Sequence, residues 1–270
     1  MDRLLEIAHE SRKIIFDIVC KNKAGHLASS LSSVEILTEL YFDNILKFDS
    51  KNPEYPMRDR FILSKGHSAL GYYVTLALAG YFDIKEINDF CIAGTKYGGL
   101  PLKGKIKGIE ATTGSLGHGL SFATGIAITA KIKKMNYRVF CMIGDGECQE
   151  GSIWEAALFI AQNKLNNLVI IVDNNGIQAT GRTNKVINLE SIKEKWNAFG
   201  FYVLQVNGHD FFELREAFCE LSTQKLPTVI IANTIKGKGL SFVEDREQCH
   251  YKIPDEKQII IGKKELGIGD

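Results

Sequence analysis

Apolar residues recur along the chain in short runs of strand length, which alternate with stretches of helical spacing. Glycine, aspartate or asparagine follows most of these runs, as is typical of buried strands that end in loops. The pattern predicts strands at residues 60–63, 139–143, 168–172, 201–206 and 227–233. Because strands and helices alternate, we expect an α/β fold, in which helices cover both faces of a parallel sheet.

Helical spacing characterises most of the segments between these runs. The predicted helices cover residues 4–19, 32–46, 69–79, 120–134, 153–161, 191–199 and 211–221. Ser32 is the N-cap at the start of the second of them and Glu35 follows three residues later, which predicts a capping box. No repeat or low-complexity linker interrupts the order, so we expect a single domain over residues 1–270. Residues 255–270 are mixed in character and are a candidate segment for docking on a partner.

The stretch from residue 138 to residue 178 carries the clearest chemical pattern. Gly144-Asp145-Gly146 follows one predicted strand, and Asn174-Asn175 follows the next. In a right-handed crossover both loops emerge at the carboxyl ends of parallel strands, so Asp145 and Asn175 should face each other. Carboxylate and amide oxygens suit a cation such as Mg²⁺, and the helix after Gly151 offers free N–H groups to a phosphate. The stretch therefore predicts a metal-bridged diphosphate site.

Composition narrows the class of protein. The chain has 270 residues, 45% of them hydrophobic, and its 33 basic and 32 acidic side chains give a net charge of +1. This balance gives no reason to expect a nucleic acid or an anionic membrane as the main partner. No apolar run approaches the ~20 residues of a membrane span.

The six cysteines and the amino terminus bear on the compartment. The cysteines form no CxxC pair, and Cys20, Cys141 and Cys219 lie within apolar runs, as reduced thiols often do. The first residues are amphipathic and mixed in charge, unlike a signal peptide. We therefore expect a cytoplasmic protein without a zinc or disulfide framework.

Several loops outside the central stretch also carry polar groups. His26 and His67 each lie beside a glycine where a loop meets a helix; either alone is typical of a capping histidine, but beside a diphosphate site they become a candidate functional pair. Lys103, Lys105 and Lys107 form a basic loop that either grips an anionic substrate or is simply solvated. His209 is predicted to be a helix-start residue.

Taken together, these residues resemble the N-terminal half of the transketolases, which are thiamine-diphosphate enzymes. The resemblance rests on the family's GDG motif followed by an asparagine pair, here Gly144-Asp145-Gly146 and Asn174-Asn175. It is strengthened by LSKGHSALGYY and GIEATTGSLGHG upstream, by GECQEGSIWEAA after the GDG, and by IIVDNNGIQ. The resemblance covers nearly the whole chain.

The resemblance implies roles for individual residues. Asp145, the Asn175 side chain and the Ile177 carbonyl would hold Mg²⁺, with Ca²⁺ or Mn²⁺ as substitutes, against the cofactor's diphosphate. The residues implied in cofactor binding are His67, Gly114, Leu116, Gly144, Asp145, Gly146, Glu150, Asn175, Ile177, Lys236 and His250. The implied catalytic residues are His26, His67 and His250. Lys236 and Lys238 would lie near the substrate mouth, although an exposed basic loop explains them equally well.

The implied reaction transfers a two-carbon ketol unit from a ketose, a sugar or sugar phosphate, to an aldehyde. One departure bears on the donor: the family usually has Gly-His-Pro where this chain has Gly99-Leu100-Pro101. An acetyl unit from pyruvate or a sugar carried on a nucleotide therefore remain as alternatives. A Rossmann oxidoreductase is disfavoured because no GxGxxG follows a first strand. A non-catalytic homologue is disfavoured by the intact Asp145, Asn175, His26, His67 and His250.

A second departure concerns a partner. The chain stops near residue 270, whereas full-length relatives continue into a domain with the glutamate that activates the cofactor's aminopyrimidine. We therefore expect the diphosphate-binding subunit of a split enzyme that is inactive alone, as part of an α2β2 heterotetramer. A second transketolase-like subunit would carry the pyrimidine-binding domain. Residues 120–132 and 153–161 are expected to supply the apolar interface.

Overall fold

A five-stranded parallel sheet lies at the centre of the computed structural model, which describes residues 1–269. Its strands run in the order β1-β2-β3-β7-β6, and β4 and β5 form a separate two-stranded antiparallel ribbon. The strands are β1 (Arg60–Leu63), β2 (Val139–Gly144), β3 (Leu168–Asn174), β4 (Ile177–Gln178), β5 (Gly181–Arg182), β6 (Tyr202–Asn207) and β7 (Thr228–Asn233). All five strands predicted from the sequence are present, in one parallel sheet as expected.

Ten helices accompany the sheet in the described residues. They are α1 (Asp2–Asn22), α2 (Leu27–Ser32), α3 (Val34–Phe42), α4 (Ala69–Leu78), α5 (His118–Ile132), α6 (Gly151–Gln162), α7 (Thr183–Val186), α8 (Ile192–Ala198), α9 (Phe211–Glu220) and α10 (Glu256–Leu266). Successive strand residues point to opposite faces of the sheet. Phe140 and Met142 accordingly join a core with α1, α3, α4 and α9, whereas Cys141 and Ile143 join a core with α5, α6 and α8. The prediction of helices on both faces is confirmed.

The second predicted helix is present as α3, but it begins two residues later and ends four residues earlier than predicted, and its predicted capping box is wrong. Residues 27–42 form two helices, α2 and α3, which meet at Ser33. Ser32 is fully buried, and its hydroxyl donates to Asp173 Oδ2 at 2.7 Å instead of capping a helix. Glu35 is turned toward Arg12 and His209. The side chains of Ser32 and Glu35 hydrogen-bond to buried polar groups on other elements instead of forming a cap. The local sequence does not reveal these partners.

The C-terminal helix α10 packs on the chain's own first helix. Asp255 and Gln258 form a capping box at its start, and Leu266 is buried. Gly262 lies so close to α1 that a Cβ there would be 2.4 Å from Phe16 Cζ. Ile260 and Ile261 stay exposed, so the outer face of the candidate docking segment is free of these contacts. The segment's last residue, Asp270, lies outside the described residues.

No helix within residues 1–269 is long and apolar enough to cross a membrane.

Candidate diphosphate and metal site

Asp145 joins the loops that follow β2 and β3. The two strands are parallel neighbours, with Gly144 paired to Asp173, so their loops meet at one sheet edge as their order predicts. The Asp145 carboxylate accepts hydrogen bonds from Gly146 N at 2.9 Å, Gly176 N at 2.7 Å and Thr183 Oγ1 at 2.9 Å. Burial raises the pKa of Asp145, although the Thr183 hydroxyl opposes the shift. A cation beside this carboxylate would favour its charged form.

Asn175 and Ile177 lie close to Asp145. Asn175 Oδ1 accepts from Ile177 N at 3.2 Å, and the Ile177 carbonyl accepts from Lys236 Nζ at 2.7 Å. Within residues 1–269, no group of three or more His, Cys, Asp and Glu side chains is arranged to hold a metal ion. A metal here would therefore depend on one carboxylate with amide and carbonyl oxygens, a donor set that suits Mg²⁺ and Ca²⁺.

The predicted cofactor-binding residues all line one cleft of about 270 Å³. They are His67, Gly114, Leu116, Gly144, Asp145, Gly146, Glu150, Asn175, Ile177, Lys236 and His250. The cleft opens at the carboxyl ends of the strands, where ligands bind in open α/β sheets.

Two features of this cleft fit a bound diphosphate with its cation. At Gly146, a Cβ would lie 2.9 Å from Gln178 Cβ, so a side chain would fill the cleft beside the Asp145 carboxylate. Gln178 Oε1 is buried without a hydrogen-bond partner among residues 1–269. An orphaned polar atom in a cleft indicates a site that a ligand, an ion or water completes. Together with the Lys236 ammonium and the oxygens of Asp145, the cleft has the chemistry that a metal–diphosphate needs.

Lys236 forms the cationic part of the cleft. It is 1% exposed, and its Nζ contacts His250 Nδ1 at 2.9 Å as well as the Ile177 carbonyl. Burial lowers the pKa of Lys236 to about 8, and the charge of Lys65 acts in the same direction. The alternative prediction, that Lys236 lies in an exposed basic loop, is therefore wrong. Lys238 is half-buried and pairs with Glu244 at 3.0 Å.

The three predicted catalytic histidines form a triangle beside the cleft. The ring centroids of His26 and His67 are 5.5 Å apart, those of His26 and His250 5.2 Å, and those of His67 and His250 5.3 Å. Burial, followed by the charge of Lys236, lowers the pKa of His26 to about 4 and that of His250 to about 3. Burial also holds the pKa of His67 well below its usual value. All three rings are neutral at pH 7 and can each accept and donate a proton.

Several residues of the site were missed from the sequence. The Tyr251 ring makes an edge contact with the His26 ring, at 4.7 Å between centroids, and is 57% exposed. Lys65 lines the cleft, is 1% exposed, and donates to the buried Asp173. Its position beside Gly66-His67 was a signal, but a lysine after a strand is usually solvated. The position of Tyr251, next to His250, was a signal of the same kind.

Two other loops singled out in the sequence do not line the cofactor cleft themselves. Lys103, Lys105 and Lys107 are exposed and line a separate cleft with Arg58 and Glu110. Leu100, at the position where the resemblance implies a histidine, lies against Gly114: a Cβ on Gly114 would be 2.6 Å from Leu100 Cδ1. The hydroxyl of Tyr73 donates to the Leu100 carbonyl at 2.9 Å and fixes this loop.

Known proteins with similar sequences support the same chemistry. The family model described as "Transketolase, thiamine diphosphate binding domain" matches residues 5–270. An apulose-4-phosphate transketolase subunit from Phocaeicola vulgatus is 41% identical over 256 residues, which cover 94% of this chain and 90% of that protein. The 6-deoxy-6-sulfo-D-fructose transketolase subunit of a Clostridium species is 38% identical over 260 residues, 94% of each chain. Human transketolase is 39% identical over 230 residues, which are 85% of this chain but 36% of the human protein.

Solved structures give the same result for the fold. The transketolase of Campylobacter jejuni superposes with a TM-score of 0.92 at 32% identity, over 99% of this chain and 43% of that chain. The transketolase of Leishmania mexicana superposes with a TM-score of 0.91 at 28% identity, over 98% of this chain and 41% of that chain. The chain therefore spans less than half the length of these solved transketolases.

Proposed function

Because this chain belongs to the transketolase family through its thiamine diphosphate binding domain, we propose that it is the diphosphate-binding subunit of a two-subunit transketolase. The enzyme transfers a two-carbon ketol unit from a ketose to an aldehyde. The observation that carries this proposal is the single cleft into which all the cofactor residues converge, beside three neutral histidines.

The diphosphate end of the cofactor is held by the loops after β2 and β3. Asp145, Asn175 Oδ1 and the Ile177 carbonyl would hold Mg²⁺, for which Ca²⁺ or Mn²⁺ could substitute. Gly144, Gly146 and Glu150 would bind along the diphosphate, and Gly114 and Leu116 would lie beside the ring end. When bound, thiamine diphosphate supplies a nucleophilic carbanion and an electron sink for the cleavage of a carbon–carbon bond.

The histidines move protons on the sugar hydroxyls. His250 receives a hydrogen bond on Nδ1 from the Lys236 ammonium, so the neutral ring carries its proton on Nε2. His250 therefore donates from Nε2, while His26 and His67 each have one nitrogen free of a proton. A neutral imidazole accepts a hydrogen bond on one nitrogen and donates one from the other, so these rings can orient and polarise the sugar hydroxyls between which protons move.

The donor belongs to the ketoses that carry an anionic group. Two relatives support this class, since one is named for apulose-4-phosphate and another for 6-deoxy-6-sulfo-D-fructose. Both names contain "transketolase", which favours ketol transfer over acetyl transfer from pyruvate. Leu100 at the position of the family's histidine fits a donor pocket that differs from that of other transketolases.

A second subunit completes the enzyme. Support comes from the word "subunit" in the names of relatives that this chain covers over 90% and 94% of their length. The partner supplies the pyrimidine-binding domain, in an α2β2 assembly whose contacts include α5 and α6.

We also propose that residues 1–270 are a single domain and that the enzyme is cytoplasmic. The six cysteines are all free thiols in the chain as described, which fits that compartment.

Calorimetric titration with thiamine diphosphate and Mg²⁺, in the presence of the partner subunit, tests the proposal. Asp145→Ala removes the only carboxylate of the metal set and should weaken cofactor affinity by about 100-fold or more. Asp89→Ala, at an exposed carboxylate remote from the cleft, is the matched control and should bind as the wild type does. Undiminished affinity in Asp145→Ala would show that the site is misassigned.

A further inference from the structure

Backbone hydrogen bonds hold the loop that carries Lys236, and three of them join the residues on either side of Lys236 to His209, Ala28 and Arg12. A further one joins the Lys236 carbonyl to Asp245 N at 2.9 Å. Ile235 N donates to His209 Nε2 at 2.8 Å, and Gly237 N donates to the Ala28 carbonyl at 3.0 Å. The Lys238 carbonyl accepts from Arg12 Nε at 3.0 Å. These three bonds flank Lys236 on both sides and so determine where its side chain enters the cleft.

Two of these three hydrogen bonds, those made by His209 and Arg12, depend on one carboxylate, that of Glu35 on α3. Arg12 Nη2 donates to Glu35 Oε1 at 2.6 Å and to Oε2 at 2.9 Å, and His209 Nδ1 contacts Oε2 at 2.9 Å. Glu35 is remote from Lys236 in sequence and does not line the cleft. The carboxylate therefore reaches the loop only through Arg12 and His209.

Glu35 also selects the tautomer of His209. A carboxylate accepts only, so His209 carries its proton on Nδ1 and presents a bare Nε2 to the Ile235 N–H. The other tautomer would point an N–H at an N–H, and the Ile235 donor would lose its partner. A carboxylate that orients the ring of a histidine is a common second layer of support in binding sites.

Burial and close packing make this arrangement rigid. Glu35 and Arg12 are each 7% exposed. Burial alone would raise the pKa of Glu35, but the hydrogen bond from His209 and the charge of Arg12 outweigh it and hold the pKa below its usual value. Gly239 has a φ of +97°, and a Cβ there would lie 3.0 Å from Arg12 Nε, so the loop backbone lies directly against the guanidinium.

We propose that Glu35 is a positioning residue of the cofactor cleft, which holds Lys236 against the Ile177 carbonyl and His250 by orienting Arg12 and His209. This role rests on the proposed function, because it takes the Lys236 cleft to be the cofactor site. Without the Glu35 charge, the loop keeps its backbone bonds to Ala28 and Asp245 but loses the oriented His209 and Arg12 partners on either side of Lys236, so the Lys236 ammonium is held less firmly in the cleft.

The test replaces Glu35 and a matched neighbour by glutamine. Glu39 lies one turn further along α3, is also buried, and faces Arg215 instead of the loop. In the complex with the partner subunit, Glu35→Gln should weaken affinity for thiamine diphosphate by about tenfold, whereas Glu39→Gln should not. Amide hydrogen exchange in residues 234–239 should rise in Glu35→Gln alone.

A double-mutant cycle with Lys236→Met separates positioning from general stability. If Glu35 acts through Lys236, then Glu35→Gln should cause little further loss of affinity once Lys236 is replaced. Additive losses would overturn the inference. If Glu35→Gln fails to fold, His209→Phe takes its place in the cycle. That substitution removes the hydrogen bond from Ile235 N to His209 Nε2 and leaves the Arg12–Glu35 pair in place.

The outcomes distinguish this inference from the function on which it rests. If Glu35→Gln binds as Glu39→Gln does while Asp145→Ala abolishes binding, the positioning role is wrong and the cofactor site stands. If Asp145→Ala also binds normally, the cofactor site itself is misassigned.

Discussion

At the scale of single residues, Glu39 is the buried carboxyl group with the least support. It is 0% exposed, and neither of its oxygens has a hydrogen-bond partner within the described residues, although Arg215 Nε lies 3.4 Å away. Burial, followed by the neighbouring Asp43, raises the pKa of Glu39 to about 8. The carboxyl group is therefore mostly protonated at neutral pH, which also makes glutamine a close mimic of it.

This shift predicts a pH dependence of stability. Because the folded-state pKa is raised, the folded protein binds a proton that the unfolded chain has released, and stability falls as pH rises from about 4.5 through about 8. Over this range wild type should lose on the order of 1 to 3 kcal/mol of unfolding free energy relative to Glu39→Gln. Urea unfolding of the two proteins at a series of pH values measures the difference, and parallel curves would contradict it.

Single residues also mark what sequence can and cannot predict about the site. Asp145 and Asn175 were predictable, because each directly follows a strand whose position the apolar pattern gives. The burial of Lys236 was not, since a lysine in a glycine-rich segment is typical of a solvated loop. Its burial depends on the Ile177 carbonyl and on His250, both distant in sequence.

At the scale of elements, helix α10 depends on a glycine. Gly262 faces Phe16 of α1, where an added methyl group would overlap the ring. Gly262→Ala should therefore destabilise the protein by about 1 to 3 kcal/mol, although alanine is the better helix former. Urea unfolding measures the change.

Gly125→Ala provides the matched comparison. Gly125 lies inside helix α5, and a Cβ there meets nothing within 4 Å. This substitution should leave stability unchanged or raise it by up to about 1 kcal/mol. Equal effects of the two substitutions would mean that α10 does not pack on α1 as described.

Element boundaries followed from the sequence less well than element types. The existence and type of each strand of the sheet were predicted, because apolar runs of this length have few alternatives. The division of residues 27–42 into α2 and α3 was not predicted. The Ser32 hydroxyl donates to the buried Asp173 carboxylate on β3 instead of capping a helix. A local pattern cannot contain that distant partner.

At the scale of the whole molecule, α5 and α6 expose a set of large apolar side chains. These are Phe122 at 53%, Ile132 at 74%, Leu158 at 62% and Phe159 at 47% exposed. If this surface binds the second subunit, Phe159→Glu should weaken the complex by at least about tenfold, because it buries a charge in the interface. Sedimentation of the mixed subunits measures the affinity.

Phe212→Glu is the control for that substitution. Phe212 is 57% exposed on α9. This helix belongs to the core formed with α1, α3 and α4, on the sheet face opposite to α5 and α6. The complex should form with wild-type affinity, and both variants should fold normally. Equal weakening by both, or full ketol transfer by this chain without its partner, would contradict the proposed assembly.

The sequence by itself determined the fold class, the strands and the loops of the proposed metal–diphosphate site. These depend on local periodicity and on residues that directly follow strands, and a short stretch of sequence contains both signals. Only the tertiary structure decided which groups are buried together: the triangle of histidines, Lys236 on the Ile177 carbonyl, and Glu35 between Arg12 and His209. Their protonation follows from burial and from charges on distant elements, and a linear pattern specifies neither.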